Sequence, residues 1–232
     1  MKKVFLVLVF FVSTRGLAQV KMGIEGGYNA ARFAQSPETI LSDNGYSPFS
    51  ISTFNAGIVL EIHISKKIFL QPELLYFGNG TIINGHGGDA GYENSSHEFI
   101  EVYYLRLPVN VVYKIKLTDK LHVLVGTGLY GAKGLSGRGK GNIEESGPSS
   151  GPSAYAYNSK VNFSGDNSSA NQTNIKPVDV GFDLLAGIEW NNFQLQANYS
   201  RGFSPIFNDV GYHYKNVVSG VSLLFIFPTF LH

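Results

Sequence analysis

The stretch EFIEVYYLRLPVNVVYKIK, residues 98–116, decides the fold of this 232-residue chain. Its side chains alternate between two columns with the period of two that defines a β-strand. The apolar column consists of Tyr103, Leu105, Leu107, Val109, Val111, Tyr113 and Ile115. The opposite column consists of Tyr104, Arg106, Pro108, Asn110, Val112 and Lys114. A tilted strand that crosses a bilayer needs roughly 9 to 11 residues, so this stretch predicts a membrane-spanning β-strand.

The N-terminus, MKKVFLVLVFFVSTRGLAQ, has the pattern of an export signal. Two lysines precede an apolar run over residues 4–12, and the small residues of a cleavage site end at Ala18. A membrane-spanning helix would need about 20 apolar residues, so an anchor is disfavoured. We predict a cleaved signal peptide over residues 1–18 and a mature chain over residues 19–232. Its first residue would be Gln19, and the chain has no cysteine to carry a lipid anchor.

The charge of the chain argues against a nucleic-acid partner. The formal net charge of the whole chain is +1, and loss of the three basic residues of the signal peptide lowers it by three to −2. A nucleic-acid-binding face would need clustered lysine and arginine. The 27 glycines and the 13% aromatic content suit a β-barrel with many turns and aromatic belts.

Seven further stretches show the same alternation, which gives eight predicted strands. They cover residues 20–33, 51–64, 68–80, 120–133, 177–190, 193–203 and 215–227. The connections alternate between long polar segments, predicted to be outer loops over residues 34–50, 82–98, 134–176 and 204–214, and short turns. This order is typical of a barrel with its N-terminus in the periplasm. We therefore predict an all-β fold, an eight-stranded antiparallel up-and-down transmembrane β-barrel over residues 19–232.

The polar columns predict a filled lumen, because an eight-stranded barrel is only wide enough for its own side chains. Buried charges must be paired, so we expect ion pairs within an interior charge cluster of Glu25, Glu61, Glu73, Arg106, Lys114, Asp183 and Glu189. The apolar columns end in aromatic residues near the short turns. We predict a lipid-facing aromatic belt formed by Tyr113, Trp190, Phe193 and Phe225.

Three motifs carry a family resemblance: QPELLY at residues 71–76, YYLRLPVNVVYK at residues 103–114 and GTGLYG at residues 126–131. With the signal peptide and the aromatic end of the last strand, the chain resembles the PorT-like outer-membrane β-barrel proteins of Bacteroidetes. Arg106 stands where members often carry an acidic residue in a YLEIP-like motif. The resemblance implies an outer-membrane location and an eight-stranded barrel. One branch of that family takes part in protein secretion across the outer membrane.

Our leading hypothesis is a non-enzymatic scaffold whose outer loops serve surface binding or an envelope complex, with residues 134–176 foremost. The expected partners are outer-membrane lipid, the barrel assembly machinery and an envelope or surface protein, and we expect a monomer. The alternatives are a component of a secretion system or a small-solute or ion channel, an outer-membrane hydrolase, and a soluble lipocalin-like barrel. The lipocalin-like barrel would place the apolar column inside and expose the charged column.

No catalytic residue, cofactor or metal is predicted. The chain lacks a G-x-S-x-G elbow. Residues 126–131 match G-x-G-x-x-G, but no helix pattern follows to bind phosphate at its N-terminus. His86, Asp89, His97 and Glu98 are close in the sequence, yet their spacing matches no standard metal site. We therefore interpret them as solvated residues.

Overall fold

A computed structural model of the chain describes residues 20–36, 46–89, 92–147, 151–163, 173–207 and 213–228. The predicted signal peptide lies outside the described residues. The described strands are β1 (Val20–Ser36), β2 (Tyr46–Phe49), β3 (Ile51–Ser65), β4 (Ile68–Asp89), β5 (Tyr92–Lys116), β6 (Leu121–Ser146), β7 (Ser153–Asn162), β8 (Thr173–Asn174), β9 (Val178–Trp190), β10 (Phe193–Gly202) and β11 (His213–Ile226). Within these ranges there is no helix long and apolar enough to cross a membrane.

Eight of the strands close into a ring in the order β1, β3, β4, β5, β6, β9, β10, β11. Each strand pairs antiparallel with the next, and β11 pairs with β1. The predicted all-β fold with a ring of eight strands is confirmed. The prediction of a purely antiparallel eight-stranded sheet is incomplete, because the described sheet has eleven strands and β7 pairs parallel with β8.

The two columns of β5 separate as the sequence predicts. Leu105, Leu107, Val109, Val111, Tyr113 and Ile115 are exposed on the outside of the ring, and Tyr104, Arg106, Pro108, Asn110, Val112 and Lys114 are buried inside it. The other ring strands follow the same rule, so large apolar side chains cover the outer wall. A soluble protein rarely exposes so large an apolar surface, which favours a wall that contacts lipid.

Three of the segments predicted as long loops contain β-structure instead. β4 and β5 cover most of residues 82–98, and β6, β7 and β8 run through much of residues 134–176. β2 lies within residues 34–50 and pairs with β4. The prediction failed because much of each hairpin has water on both faces, so those parts of the strands need no apolar column and show no periodicity.

The two ends of the ring differ in their connections. Residues 66–67, 117–120 and 191–192 make the short connections at one end, the short-turn end, which also holds the start of β1 and the end of β11. Asn191 has a φ of 54°, a left-handed conformation that asparagine tolerates in tight turns. The opposite end, the hairpin end, carries the long extensions of β4, β5, β6 and β7.

Candidate functional site

The interior of the ring holds all seven residues of the predicted charge cluster. Glu25, Glu61, Glu73, Arg106, Lys114, Asp183 and Glu189 are each buried, with at most 9% of their surface exposed. Alternation along strands places them there, since each lies in the inward column of its strand. The structure divides them into layers along the barrel axis, because the seven residues lie at different positions along their strands.

The layer nearest the short-turn end is centred on Lys114. Its Nζ atom donates hydrogen bonds to Glu61 Oε2 at 2.6 Å and to Glu189 Oε2 at 2.5 Å. The ammonium group also lies 4.3 Å from the ring centroid of Phe69. His122 Nδ1 is 3.3 Å from the other oxygen of Glu189. One cation therefore compensates two carboxylates from β3 and β9.

Two glutamines complete this layer. Gln71 Nε2 donates to Glu61 Oε2 at 3.0 Å, and Gln194 Nε2 donates to Glu61 Oε2 at 3.0 Å and to Glu189 Oε2 at 2.7 Å. Both glutamines are fully buried. The alternation of each strand predicts that both glutamines face inward, but it does not predict this role, because amide donors carry no charge signal. The layer fills the barrel cross-section with hydrogen-bonded side chains.

The middle layer is centred on Arg106. Its guanidinium group binds the carboxylate of Asp183 and donates to Ser200 Oγ at 2.9 Å. The same group lies 3.8 Å from the ring centroid of Tyr130 and 4.2 Å from that of Phe77. Arg106 is thus paired and sandwiched by aromatic rings, which is how a buried arginine is stabilised.

Glu25 and Glu73 have amide partners rather than a cation. Asn55 Nδ2 donates to Glu25 Oε1 at 2.8 Å, and Asn110 Nδ2 donates to Glu73 Oε1 at 3.2 Å. Both carboxyl groups line a cavity of about 30 Å³ that Arg106 also lines. Each water needs about 10 to 15 Å³ of such space, so the cavity has room for about two or three waters.

The hairpin end of the interior is closed by polar and then apolar packing. Asp179, which the predicted cluster did not include, accepts hydrogen bonds from Tyr130 Oη at 2.9 Å and Asn216 Nδ2 at 2.8 Å. Above it lies an apolar plug, a cluster of buried side chains formed by Phe33, Ile100, Val102, Tyr104, Tyr130, Ala132, Val161, Ile175 and Ile206.

Residues outside the regular strands help to form the plug. Ile175 and Ile206 are almost fully buried, and the backbone N–H of Lys176 donates to the carbonyl of Ile206 at 2.9 Å. Both isoleucines lie in ranges that the sequence analysis interpreted as loops. No local pattern identifies them, because a single apolar residue in a polar segment has no periodicity.

Aromatic side chains form two bands on the outer wall. At the short-turn end Phe193 is the cross-strand partner of Trp190 and of Phe225, and the rings of Phe193 and Phe225 are 4.8 Å apart. Tyr113 lies on a different part of the wall, on β5. Nearer the hairpin end, Tyr76 and Tyr103 stack at 4.8 Å, and Phe182 stacks on Phe203 at 5.7 Å.

The distance between the bands matches a bilayer. Tyr103 and Tyr113 are ten residues apart on β5. At about 3.3 Å per residue and a strand tilt of about 40°, they differ in height by about 25 Å, the usual height of the apolar band of a membrane barrel. The wall between them exposes Leu105, Leu107, Val109 and Val111.

Comparison with known protein families identifies the chain. Residues 13–208 match the family model described as outer membrane protein beta-barrel domain. The chain belongs to this family. No curated protein sequence matches the chain. The predicted outer-membrane location is thereby supported.

Several solved outer-membrane barrels are similar in structure. The attachment invasion locus protein Ail of Yersinia pestis is 11% identical, with 89% of this chain and 98% of that chain covered and a TM-score of 0.34. Neisserial surface protein A is 10% identical, with 89% and 97% covered and a TM-score of 0.38. The N-terminal β-barrel domain of Pseudomonas aeruginosa OprF is 12% identical, with 90% and 100% covered and a TM-score of 0.30.

Membership of an outer-membrane barrel family gives the two ends of the ring a direction. In such barrels the short turns face the periplasm and the longer connections face the exterior. The hairpin end therefore faces outward. There, strands continue beyond the outer aromatic band as a protruding sheet, which we call the outer sheet, formed by residues 46–49, 79–89, 92–102, 136–146 and 153–161.

One contact across the outer sheet joins three strands. Glu98 on β5, Gly141 on β6 and Tyr157 on β7 are successive cross-strand partners. The ring of Tyr157 covers Gly141, where a Cβ atom would collide with it, and its hydroxyl is hydrogen-bonded to Glu98. Burial and the neighbouring Glu98 carboxylate raise the pKa of Tyr157 to about 12.

The tip of the outer sheet carries acidic side chains around a concave surface. A concavity of about 640 Å³ is lined there by residues that include His86, Glu93, Glu144 and Glu145. His97 and Glu98 lie further down the sheet, where His97 Nδ1 is 2.6 Å from Asn84 Oδ1. Within the described ranges no three histidine or acidic side chains are grouped in a way that could hold a metal ion.

Proposed function

We propose that this protein is an eight-stranded, up-and-down outer-membrane barrel that acts as a non-enzymatic, non-conducting scaffold, and that its outer sheet binds a protein partner at the cell surface or in the envelope. The observation that carries the proposal is a contrast between the two parts of the molecule. The lumen is filled with paired side chains and capped by the apolar plug. The outer sheet, in contrast, presents a large surface to solvent.

The extent of the outer sheet supports a binding role. Residues 92–102 of β5 add about 36 Å of strand beyond the outer aromatic band, at about 3.3 Å per residue. Anchoring a barrel in the membrane does not require such an extension. Among the described residues, 153–160 of β7 pair on one side only, with β6. An edge of this kind can accept a strand from a partner.

The charge of the tip favours a basic partner. Glu93, Glu144 and Glu145 are exposed around the concavity, and opposite charges steer association and set specificity. Two finer assignments belong to the same proposal. The first is the PorT-like affiliation, which the motifs at residues 71–76 and 103–114 support. The second is export by a signal peptide cleaved after Ala18, to be checked by the intact mass of the mature protein.

The proposal is tested by shortening the outer sheet without touching the barrel. Asn142 and Ala156 are cross-strand partners, as are His86 and Ser95. Residues 143–155 and residues 87–94 can therefore each be replaced by an Asn-Gly two-residue turn. The shortened protein should still fold as a barrel but lose the partners that a photo-cross-linker at Tyr155 captures in the full-length protein.

A matched cross-linker at Leu129 is the control, because that side chain is also exposed but lies on the lipid-facing wall. Binding of each captured partner is then measured with purified components. Partners retained by the shortened protein would contradict the proposal. A steady current through monomeric protein in planar bilayers would instead favour the channel alternative.

A further inference from the structure

Two arginines flank one residue on the outer wall near its exterior end. Arg32 on β1 and Arg201 on β10 are both cross-strand partners of Val217 on β11. Adjacent strands are about 4.8 Å apart, so the Cα atoms of the two arginines are about 10 Å apart. Both arginines are exposed, whereas Val217 between them is only 8% exposed. Their long side chains can therefore reach a common position in front of Val217.

A third cation, Lys215, lies next to this pair. It lies two residues before Val217, in the same outward column of β11, and is the cross-strand partner of Ala34 on β1. None of the three cations forms an ion pair with any residue that the structure describes. The outward columns of β1, β9, β10 and β11 contain neither aspartate nor glutamate over their described, assigned positions. The cations thus form a positive patch that lacks a counter-charge from the described wall.

The positive patch lies where the apolar wall ends. Arg32 is four residues beyond the exposed Tyr28 on its strand, and Arg201 is two residues beyond Tyr199. Arg201 is also the cross-strand partner of Phe182, an aromatic residue of the outer band. Long basic side chains just beyond an aromatic band are at the level of the lipid headgroups.

We propose that Arg32, Arg201 and Lys215 bind the phosphate of a lipid headgroup in the outer leaflet. A guanidinium group offers phosphate two parallel hydrogen bonds, and two arginines that face one position can hold one phosphate between them. The aromatic side chains of Phe182 and Tyr199 lie below the patch, where they contact the acyl chains. An outer-leaflet lipid with a phosphorylated headgroup satisfies both parts of this surface.

The test measures how much lipid the purified barrel retains. Protein in detergent is incubated with diphosphoryl lipid A, washed, and analysed by native mass spectrometry. The R32Q/R201Q variant should retain about 30-fold less lipid A than the wild type, since each of the two basic residues contributes about 1 kcal/mol near a lipid surface and about 1.4 kcal/mol is a factor of ten. The matched control is K140Q/K160Q, which removes two exposed charges from the outer sheet and should retain as much as the wild type.

Several outcomes would overturn the proposal. They are equal retention by R32Q/R201Q, an equal loss in K140Q/K160Q, equal retention of a phosphate-free diacylglycerol, and displacement of lipid A by the same concentration of inorganic phosphate. If R32Q/R201Q does not fold, the proposal is tested instead by the salt dependence of lipid A retention in the wild type. Rising sodium chloride should release lipid A by screening the cations, and retention that is indifferent to salt would overturn the assignment.

Discussion

Lys114 and Glu61 form an ion pair of 2.6 Å inside the barrel, between strands that are not adjacent in the ring. The same ammonium group binds Glu189 on β9. Since Lys114 has two carboxylate partners, we expect K114M to leave both uncompensated and to lower the free energy of unfolding by about 3 to 5 kcal/mol. Urea unfolding followed by the fluorescence of Trp190, the single tryptophan, measures this.

K116M is the control for that measurement. Lys116 is on the same strand, but it is exposed, and its one ion pair among the described residues is with the exposed Asp119 of the following turn. Exposed pairs contribute little, so K116M should change the stability only slightly. A loss of stability as large in K116M as in K114M would contradict the assigned role of the interior pair.

A charged side chain introduced at mid-height on the lipid-facing wall should destabilise the barrel. Leu107 is 55% exposed between the aromatic bands, and L107R should cost about 2 to 4 kcal/mol and impair membrane assembly. Leu135 is 50% exposed on β6 toward the outer sheet, so L135R should assemble normally. The fraction of folded protein after refolding into lipid vesicles is the measurement. Equal tolerance at the two positions would mean that the membrane boundary is misplaced.

Closure of the ring should make the protein heat-modifiable. Every ring strand is paired on both sides, so the barrel wall has no open sheet edge at which SDS could begin to unfold the barrel. We expect unboiled and boiled samples to migrate differently on an SDS gel. Identical migration would count against a closed barrel.

The outer sheet should depend on the missing side chain of Gly141. A Cβ atom at this position would collide with the ring of Tyr157, whereas a Cβ atom at Gly131 on the same strand meets nothing within 4 Å. G141V should therefore accelerate amide hydrogen exchange in β6 and β7 of the outer sheet. G131V should leave the exchange unchanged, and similar exchange in both variants would contradict the packing described here.

The same contact predicts a dependence on alkaline pH. The pKa of Tyr157 is raised to about 12, above the ordinary value of about 10, because burial and Glu98 favour the protonated hydroxyl. The contribution of this hydroxyl to stability is therefore complete below about pH 10 and is lost as the pH rises toward 12. Amide exchange in the outer sheet of the wild type should accelerate over that range relative to Y157F. Parallel profiles of the two proteins would refute the assignment.

The sequence by itself determined the barrel wall. In β5 the exposed residues, such as Leu107, and the buried residues, such as Arg106, are those that the alternating pattern assigns to the two faces. The pattern is reliable here because lipid outside and polar side chains inside make opposite demands on successive residues. The seven charged residues predicted for the interior are all buried for the same reason.

Only the tertiary structure decided which interior groups meet. Alternation says that Lys114, Glu61 and Glu189 face inward, but the register between strands sets their heights, and no local feature of the sequence fixes that register. The register also brings Arg32 and Arg201 to the two sides of Val217, although 169 residues separate the arginines in the chain.

The strands of the outer sheet and the apolar plug also depended on the tertiary structure. Beyond the membrane both faces of a hairpin contact water, so residues such as Tyr157 need no apolar alternation to form a strand. Ile175 and Ile206 are buried because they join side chains from several strands in the apolar plug at the end of the barrel. The membrane imposes a pattern on the sequence, whereas these contacts arise from the folded chain alone.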